Sequence, residues 1–351
     1  MKEFLKYYNE EKEKIEEEIK KYNEELTKEK NLLLKENLEV FKKLNSSGKR
    51  IRGILVNLGY QLKKGRSTYS IPLSLAYELF QTSILVHDDI IDQDDKRRGE
   101  KTIHFYNREK YGEEKEVEHL SNSIALCMGD YGLYLSNQVI SNSYENDKNL
   151  GKVLNYFNQT VLNTIKGELF DVVLPIENKK NKIEESLLEE KILEVYLLKT
   201  SYYTFIGPLS VGMILAGTTE EELKELEEIG IKLGIAFQIQ DDILGIYSDE
   251  MGKVKASDIK EGKQTLIYAY TKNSIYQEEF DKIYGKQNLS DEKINKVQEM
   301  MEKSGARKKT EDLMNSYYDE SIALIEKNKW IKENDKNLLK GFIEYLRTRK
   351  K

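Results

Sequence analysis

Residues 83–92 read SILVHDDIID, an apolar stretch that ends in three aspartates. On a helix, Asp88 and Asp92 lie one turn apart on the same face, and Asp89 lies about 100° around the axis. Like charges at a helix C-terminus repel one another and the negative end of the helix dipole. The cluster therefore predicts a positive partner, either a nearby basic side chain or a bound metal ion.

A second stretch, FQIQDDILG at residues 237–245, also places two aspartates, Asp241 and Asp242, at the end of an apolar helical pattern. Two clusters in matching contexts favour a shared function over two unrelated surface helix ends. Mg²⁺ prefers oxygen ligands, usually one or two carboxylates completed by phosphates and water. We expect the clusters to face each other at the mouth of an apolar cavity and to bind Mg²⁺.

Basic residues supply the groups that a diphosphate needs. Lys49 and Arg52, within GKRIRG, are three residues apart and share one face of a predicted helix. Five further basic residues lie near the aspartate clusters, an uncharged stretch or a polar loop: Arg97, Arg98, Lys199, Lys253 and Lys263. Together with carboxylates, such residues are typical of metal-assisted diphosphate binding.

Helical patterns extend along nearly the whole chain. Only 3 of its 351 residues are proline, and no stretch alternates polar and apolar residues as a strand would. Short breaks predict loops at 65–67, 99–101, 142–148, 177–182 and 217–219. We expect an all-α fold, with about ten or more helices in a single domain over residues 1–351.

The N-terminal 31 residues are rich in Lys and Glu, with one narrow apolar stripe that includes Ile15 and Ile19. This pattern predicts a helix packed on the main body or, alternatively, a coiled-coil arm. Residues 200–219 carry no charge, which is long enough for a membrane span, but Pro208 and several small residues favour a helix buried in a soluble core.

Composition excludes several classes of protein. The net charge of −6 argues against general nucleic-acid binding. Cys127 is the one cysteine, so an intramolecular disulfide is excluded, and its use suits a cytoplasmic protein. The three histidines, His87, His104 and His119, have no zinc-site spacing with it, and the N-terminus lacks the apolar core of a secretory signal.

Four motifs, in this order, resemble those of the trans-isoprenyl diphosphate synthases, or polyprenyl synthetases. GKRIRG (48–53) resembles the family's motif for the isopentenyl substrate, and LVHDDIIDQDDKRRG (85–99) resembles its first aspartate-rich motif. LKTSYYTFIGPLSVGMILAG (198–217) resembles the segment with the Lys-Thr pair. The stretch FQIQDDILGIYSDEMGKVKASDIKEGKQTL (237–266) resembles the second aspartate-rich motif and its lid loop.

This resemblance implies the isoprenoid synthase fold, with its helices around a central apolar cavity, and a Mg²⁺-dependent head-to-tail condensation of isopentenyl diphosphate with an allylic diphosphate. It implies that Asp88 and Asp92 ligate two Mg²⁺ ions and that Asp241 ligates a third, with Asp89 and Asp242 in support. The metals would stabilise the departing diphosphate, and the double bond of isopentenyl diphosphate would attack the carbocation. Released diphosphate would accept the proton, so no side-chain base is required.

The resemblance also assigns the remaining site residues. The residues implied to bind the allylic diphosphate are Arg97, Lys199 and Lys253. Those implied to hold isopentenyl diphosphate are Lys49, Arg52, Gln81 and Arg98. Thr200 and Gln238 would face the reacting carbons, while Asp258 and Lys263 would belong to the lid.

The chain departs from the family pattern at two places. The third aspartate of the second motif is Gly245. Where many members have Gly-Gln, this chain has Gly167-Glu168, followed by a retained Asp171 that could support the metals. The first aspartate of the second motif is the ligand that matters, so Gly245 leaves the prediction standing, and Glu168 adds a charge without an assigned role.

Product length in this family depends on side chains that precede the first motif on its helix. One turn rises about 5.4 Å, close to one isoprene unit. Ser83 and Ile84 lie one turn before Asp88, and because Ser83 is small, the cavity looks open at that level. Phe80 and Tyr77 lie deeper and either cap the product or merely pack in the core. We predict a product near twenty carbons, geranylgeranyl diphosphate.

Two other functions stay open. A class I terpene cyclase shares the fold and an aspartate-rich motif but needs no isopentenyl site, so Lys49, Arg52 and Arg98 argue against it. A regulatory subunit of a heteromeric synthase usually lacks one aspartate cluster, and both are present here. Family members are usually homodimers, and we expect the same of this chain.

Overall fold

A computed structural model describes residues 1–247, 256–286 and 288–348. Helices dominate, as predicted, and in chain order they are α1 (Lys2–Leu26), α2 (Leu32–Asn45), α3 (Ile51–Lys64), α4 (Ile71–Ile91), α5 (Ile103–Lys110), α6 (Val117–Ser143), α7 (Leu150–Asn181), α8 (Glu185–Val195), a π-helix (Tyr196–Ile206), α9 (Gly207–Ala216), α10 (Glu220–Tyr247), α11 (Ser257–Glu261), α12 (Leu266–Lys272), α13 (Gln277–Ile283), α14 (Asp291–Lys303), α15 (Ala306–Lys327) and α16 (Glu333–Arg347). One short antiparallel hairpin pairs β1 (Lys96–Arg97) with β2 (Glu100–Lys101).

The chain divides into two compact units. The N-terminal unit comprises Leu5–Tyr156 and Pro208–Thr219. The C-terminal unit comprises Met1–Phe4, Phe157–Gly207 and Glu220–Lys351. The aspartates of the first cluster belong to the N-terminal unit and those of the second cluster to the C-terminal unit. A single domain over the whole chain stays a prediction.

Helix α4 is the central helix of the N-terminal unit. It begins beside Pro72, whose missing N–H is tolerated in a first turn, and most of its side chains up to Val86 are buried. Glycines let α6 approach α4 closely. A Cβ on Gly132 would lie 2.2 Å from Ser83 Oγ, and one on Gly129 would lie 2.2 Å from His87 Nε2. These contacts fix the helix that ends in the first aspartate cluster.

The second half of the uncharged stretch packs against α3 in the same unit. A Cβ on Gly59 would lie 2.1 Å from the Leu209 carbonyl oxygen, and one on Gly212 would lie 2.1 Å from that of Val56. Leu209, like the rest of α9, is buried. Within the described residues, no helix combines the length and the apolar character that crossing a membrane requires.

In the C-terminal unit, the π-helix packs closely on two neighbours. A Cβ on Gly167 of α7 would lie 2.3 Å from the Lys199 backbone nitrogen. On the α10 side, a Cβ on Gly234 would lie 2.2 Å from Ser201 Oγ. The backbones of α7 and α10 therefore come close to the π-helix around Lys199 and Thr200. A buried cluster from α8, α10 and the later helices forms the core of this unit.

The N-terminal helix packs on its unit rather than extending away as an arm. Ile15 and Ile19 are buried, and the Tyr8 hydroxyl donates a 2.6 Å hydrogen bond to the Lys49 carbonyl. The loop predicted at 177–182 is wrong, because α7 continues to Asn181. Its last turns are retained because Leu174 is buried and the buried Asn178 donates to Gln264 at 2.6 Å.

Candidate active site

The first aspartate cluster forms the C-terminal end of α4, and Arg97 on β1 binds it. Arg97 Nη2 lies 3.1 Å from Asp88 Oδ2, and its Nε donates to Asp89 Oδ1. The backbone N–H of Asp92 donates to the Asp88 carbonyl at 2.8 Å and ends the helix. Asp92 itself is exposed. The predicted positive partner of this cluster therefore includes Arg97.

Asp89 is the buried member of the first cluster, with 1% of its surface exposed. Burial raises its pKa to about 7; Arg97 opposes the increase, while the charges of Asp88 and Asp94 add to it. Its second oxygen, Oδ2, is buried and accepts no hydrogen bond from the described residues. A buried carboxyl oxygen that accepts no hydrogen bond is a suitable ligand for a cation.

Arginines gather next to this cluster. Arg98 Nη1 donates to the Ser47 carbonyl, and burial lowers its pKa, with Arg50, Arg52 and Arg97 adding to the decrease against the effect of Glu78. Mutual repulsion among these arginines favours the binding of an anion next to them. Arg52 is half-buried and Lys49 is exposed. The basic residues that were predicted to hold isopentenyl diphosphate thus belong to one unit, together with the partly buried Gln81.

Arg50, within the same GKRIRG motif, has a different position. Its side chain is buried, with Nε 2.8 Å from Glu16 Oε1 and Nη1 3.3 Å from Glu78 Oε2. It also donates to the Asn45 carbonyl at 2.7 Å. These contacts tie α1, α3 and α4 together, so Arg50 stabilises this unit.

The second aspartate cluster, on α10, is held by a chain of hydrogen bonds. The Tyr196 hydroxyl donates to Asp242 Oδ2, and Gln238 Nε2 donates to Asp242 Oδ1 at 2.8 Å. Thr200 Oγ1 in turn donates to Gln238 Oε1 at 2.5 Å. Burial raises the pKa of Asp242 to about 8, and the charge of Asp258 adds to that increase. Asp241 is half-buried next to this network.

Lys199 is bound by two carboxylates of α7. Its Nζ lies 2.7 Å from Asp171 Oδ2 and 2.8 Å from Glu168 Oε2. The negative charge of Glu168 therefore contacts Lys199, a residue that was predicted to bind diphosphate. Lys199 and Thr200 both belong to the π-helix, a rare conformation that is frequent at functional sites. Nothing in the periodicity of the sequence signals that conformation.

The glycine in the second motif has a steric reason. A Cβ on Gly245 would lie 2.4 Å from Asp258 Oδ2, so the carboxylate of Asp258 fills the space that a third aspartate of the motif would need. Lys263 Nζ lies 3.8 Å from Asp258 Oδ1 and 3.2 Å from Glu261 Oε2. Asp258 and Lys263 thus lie together near Asp242, within the C-terminal unit.

Two parts of the predicted site stay predictions. Lys253 and the first half of the predicted lid lie outside the described residues. That Asp88 and Asp241 face each other stays a prediction, because the two residues belong to different units. Sequence reasoning did not identify Tyr196 or Glu78. The signal available for Tyr196 was its position three residues before Lys199. The π-helical conformation of this segment could not be foreseen from the sequence.

The residues predicted to limit product length lie along α4. Tyr77 and Phe80 are fully buried and contact each other edge to face, with ring centroids 6.1 Å apart. Ile84 is half-buried. Ser83 is fully buried, and α6 packs closely against it: a Cβ on Gly132 would lie 2.2 Å from Ser83 Oγ.

The acidic residues suit Mg²⁺ rather than a site made wholly of protein ligands. No three His, Cys, Asp or Glu side chains in the described part of the chain come close enough to hold a metal by themselves. Mg²⁺ is usually bound by one or two carboxylates, with phosphates and water completing the octahedron. Partly exposed Asp88 and Asp241, each beside a buried aspartate, match that requirement.

A helical fold with two carboxylate clusters and several basic side chains defines the isoprenoid synthase class. The fold agrees with a crystal structure of geranylgeranyl pyrophosphate synthase from Corynebacterium glutamicum, complexed with isoprenyl diphosphate and magnesium. The TM-score is 0.84 at 24% identity, over 96% of this chain and 99% of that one. This similarity establishes the fold.

Sequence comparison then places the chain in a family. Residues 34–301 match the family model of polyprenyl synthetase. A short chain isoprenyl diphosphate synthase from Methanocaldococcus jannaschii is 31% identical over 266 residues, 74% of each chain. A geranylfarnesyl diphosphate synthase from Aeropyrum pernix is 24% identical, over 86% of this chain and 91% of its own. The chain belongs to the polyprenyl synthetase family and is a trans-prenyltransferase of the isoprenyl diphosphate synthase class.

Proposed function

We propose that this enzyme condenses isopentenyl diphosphate with an allylic diphosphate, head to tail, and releases a longer trans-prenyl diphosphate. The observation that supports this most is the presence of both aspartate clusters, with Arg97 beside the first and Lys199 near the second, in a polyprenyl synthetase. The cations at Lys49, Arg52 and Arg98 add a reason to expect a second, isopentenyl diphosphate substrate.

Asp88, Asp92 and Asp241 are the proposed Mg²⁺ ligands, supported by Asp89 and Asp242, and three ions are expected per active site. Bound Mg²⁺ supplies positive charge to the leaving diphosphate. The cationic side chains that bind the same diphosphate are Arg97, Lys199 and Lys253. Lysine and arginine there lower the energy of the transition state, in which negative charge collects on the departing oxygen.

Thr200 and Gln238 are the proposed neighbours of the reacting carbons. Their hydrogen bond to each other and the Gln238–Asp242 bond fix the Gln238 amide, so that its dipole is oriented before substrate binds. Gln81 and the isopentenyl-site cations hold the nucleophile, and released diphosphate takes the proton. Asp258 and Lys263 follow the second motif and are proposed to belong to the segment that excludes water from the carbocation.

We propose that Phe80 and Tyr77 limit the product to about twenty carbons. Phe80 lies eight residues before Asp88, about 12 Å along the helix axis. The small side chain of Ser83, one turn nearer to the aspartates, gives a growing chain no bulky obstacle at that level. Geranylgeranyl diphosphate is therefore the proposed product, and Ser83, Ile84, Phe80 and Tyr77 are the positions where substitutions should change it.

We also propose that the enzyme is a cytoplasmic homodimer. Helix α7 carries an apolar stripe on the face opposite its buried one, at Leu162, Ile165, Leu169, Val172 and Ile176. These side chains are each 45–57% exposed and recur every three or four residues. A second copy of the chain is the proposed occupant, because family members usually pair with themselves.

One assay separates this function from its alternatives. Purified protein is incubated with Mg²⁺, isopentenyl diphosphate and an allylic diphosphate, and the products are separated by chromatography. Longer prenyl diphosphates support the proposal. Cyclic hydrocarbons would indicate a terpene cyclase, and the absence of turnover by the pure chain would indicate a regulatory subunit.

A further inference from the structure

Glu168 is the departure from the family pattern that the proposed function leaves without a role. Its carboxylate lies 2.8 Å from Lys199 Nζ, on the same ammonium group that Asp171 contacts at 2.7 Å. All three side chains are partly exposed, with 28% of Lys199, 19% of Glu168 and 26% of Asp171 accessible. An incoming anion can therefore reach this cluster.

The backbone makes these contacts difficult to avoid. Because Gly167 has no Cβ, α7 lies directly against the π-helix at Lys199: a Cβ on Gly167 would come 2.3 Å from the Lys199 backbone nitrogen. Glu168 and Asp171 are three residues apart on α7 and share one face. Glu168 is the residue next to the point of closest approach. Lys199 thus has two anionic partners before any substrate arrives.

We propose that Glu168 is a positioning residue: it holds the ammonium group of Lys199 and thereby lowers the enzyme's affinity for the allylic diphosphate. This inference rests on the proposed function, in which Lys199 binds that diphosphate. Substrate has to displace the carboxylate of Glu168 from Lys199 Nζ before the ammonium group can bind the diphosphate, and the same competition speeds the release of pyrophosphate.

Glu168→Gln tests the proposal, because it removes the charge and keeps the size of the side chain. Partly exposed ion pairs are weak, so we expect about a three- to fivefold lower KM for the allylic diphosphate. Calorimetry with inorganic pyrophosphate at saturating Mg²⁺ should show a matching increase in affinity. The KM for isopentenyl diphosphate should not change, whereas a general structural effect would alter the KM for both substrates.

Glu177→Gln is the matched control, since Glu177 is exposed on the same helix and nine residues away. It removes one negative charge and should leave pyrophosphate affinity unchanged. If Glu177→Gln raises the affinity as much as Glu168→Gln does, the effect is one of net charge and the proposal is wrong. It is equally wrong if Glu168→Gln weakens pyrophosphate binding, as a metal ligand would.

A double-mutant cycle distinguishes action through Lys199 from direct repulsion. In a Lys199→Gln background, Glu168→Gln should change pyrophosphate affinity by less than about 1.5-fold, because the group that it restrains is gone. A full three- to fivefold gain in that background would overturn the role of Lys199. A wild-type enzyme that forms no prenyl product would instead remove the proposed function, and this inference with it.

Discussion

Asp89 and Asp242 are acidic residues in environments that disfavour their charge. Asp89 is 1% and Asp242 is 6% exposed, and burial is the main reason that the pKa of each is raised, to about 7 and about 8. Each also has further carboxylates nearby. Such residues destabilise a protein unless a cation offsets them, so their presence beside the proposed metal ligands agrees with a function in cation binding.

The raised pKa values predict how stability depends on pH. In the unfolded chain these aspartates release their protons near the ordinary value of 3.8, whereas the folded protein retains them until about pH 7 to 8. Between these values the unfolded state binds fewer protons, so the free energy of unfolding falls as pH rises. Metal-free protein should therefore have a Tm that decreases from pH 5 to pH 8.

Asp242→Asn should make this dependence shallower, because asparagine does not titrate and Asp89 still does. Thermal unfolding with chelator at several pH values provides the measurement, and exposed Asp312 supplies the control variant Asp312→Asn. The wild-type slope should persist in the control. An Asp242→Asn protein with the same slope as wild type would show that Asp242 does not hold its proton in the folded state.

Product length should respond to Phe80. Phe80→Ala removes a fully buried ring and should lengthen the products by at least one isoprene unit, measured by chromatography of dephosphorylated prenols. Because large-to-small core changes cost about 3–5 kcal/mol, Phe80→Leu is the milder companion. Phe280→Leu, at another fully buried ring, should leave the distribution unaltered. An unchanged distribution in both Phe80 variants would remove it as the limit.

At the level of single residues, the sequence indicated candidate site residues but not the side chains that surround them. The aspartates and basic residues could be identified because the motifs are local. That Asp258 fills the space at Gly245, or that Glu168 contacts Lys199, depends on residues 13 and 31 positions apart meeting in space. Local patterns contain no information about such contacts.

At the scale of elements, glycines set the distances between helices. Gly→Ala in a helix usually stabilises by about 1 kcal/mol. At Gly245 we expect the opposite sign, because the new Cβ would lie 2.4 Å from a buried carboxylate. Gly245→Ala should lower Tm and also impair activity, since Asp258 would have to move.

Gly151→Ala is the matched comparison for that prediction. Gly151 is exposed in the first turn of α7, and nothing lies within 4 Å of a Cβ added there. Its Tm should stay the same or rise slightly in differential scanning calorimetry. Equal behaviour of the two variants would mean that the close approach at Gly245 does not constrain the protein.

The elements themselves were largely predictable, with informative exceptions. Three- and four-residue apolar spacing identified the helices, and the breaks at 65–67 and 217–219 fall between elements. Helix α6 extends two residues into the break predicted at 142–148, and residues 100 and 101 of the loop predicted at 99–101 form β2. The end of α7 was missed because a polar run after Pro175 looks like a loop, although Asn178 is held by a distant glutamine. The π-helix could not be predicted because nothing in the periodicity of the sequence signals it; in the structure, Gly167 and Gly234 pack closely against it.

At the scale of the whole molecule, the apolar stripe of α7 predicts association. Leu162→Lys combined with Ile176→Lys would place charges in a dimer interface and should shift the protein toward monomers in light scattering. Glu177→Lys adds positive charge about a quarter turn away from the stripe and should keep the dimer. A stripe variant that remains dimeric would place the interface elsewhere.

The all-α fold followed from the sequence because helical periodicity is continuous and prolines are scarce. The arrangement of the two aspartate clusters did not follow from it, because it depends on packing between segments about 150 residues apart. That both clusters serve one reaction is our proposal, and the family assignment supports it.

The most direct test of that claim compares initial rates of Mg²⁺-dependent prenyl diphosphate formation in wild type, Asp88→Asn, Asp241→Asn and the double variant. If both aspartates act on one diphosphate, each single change should reduce the rate at least about a hundredfold. The double variant should then be little worse than the poorer single one. A near-normal rate in either single variant, or losses that multiply in the double, would contradict the account.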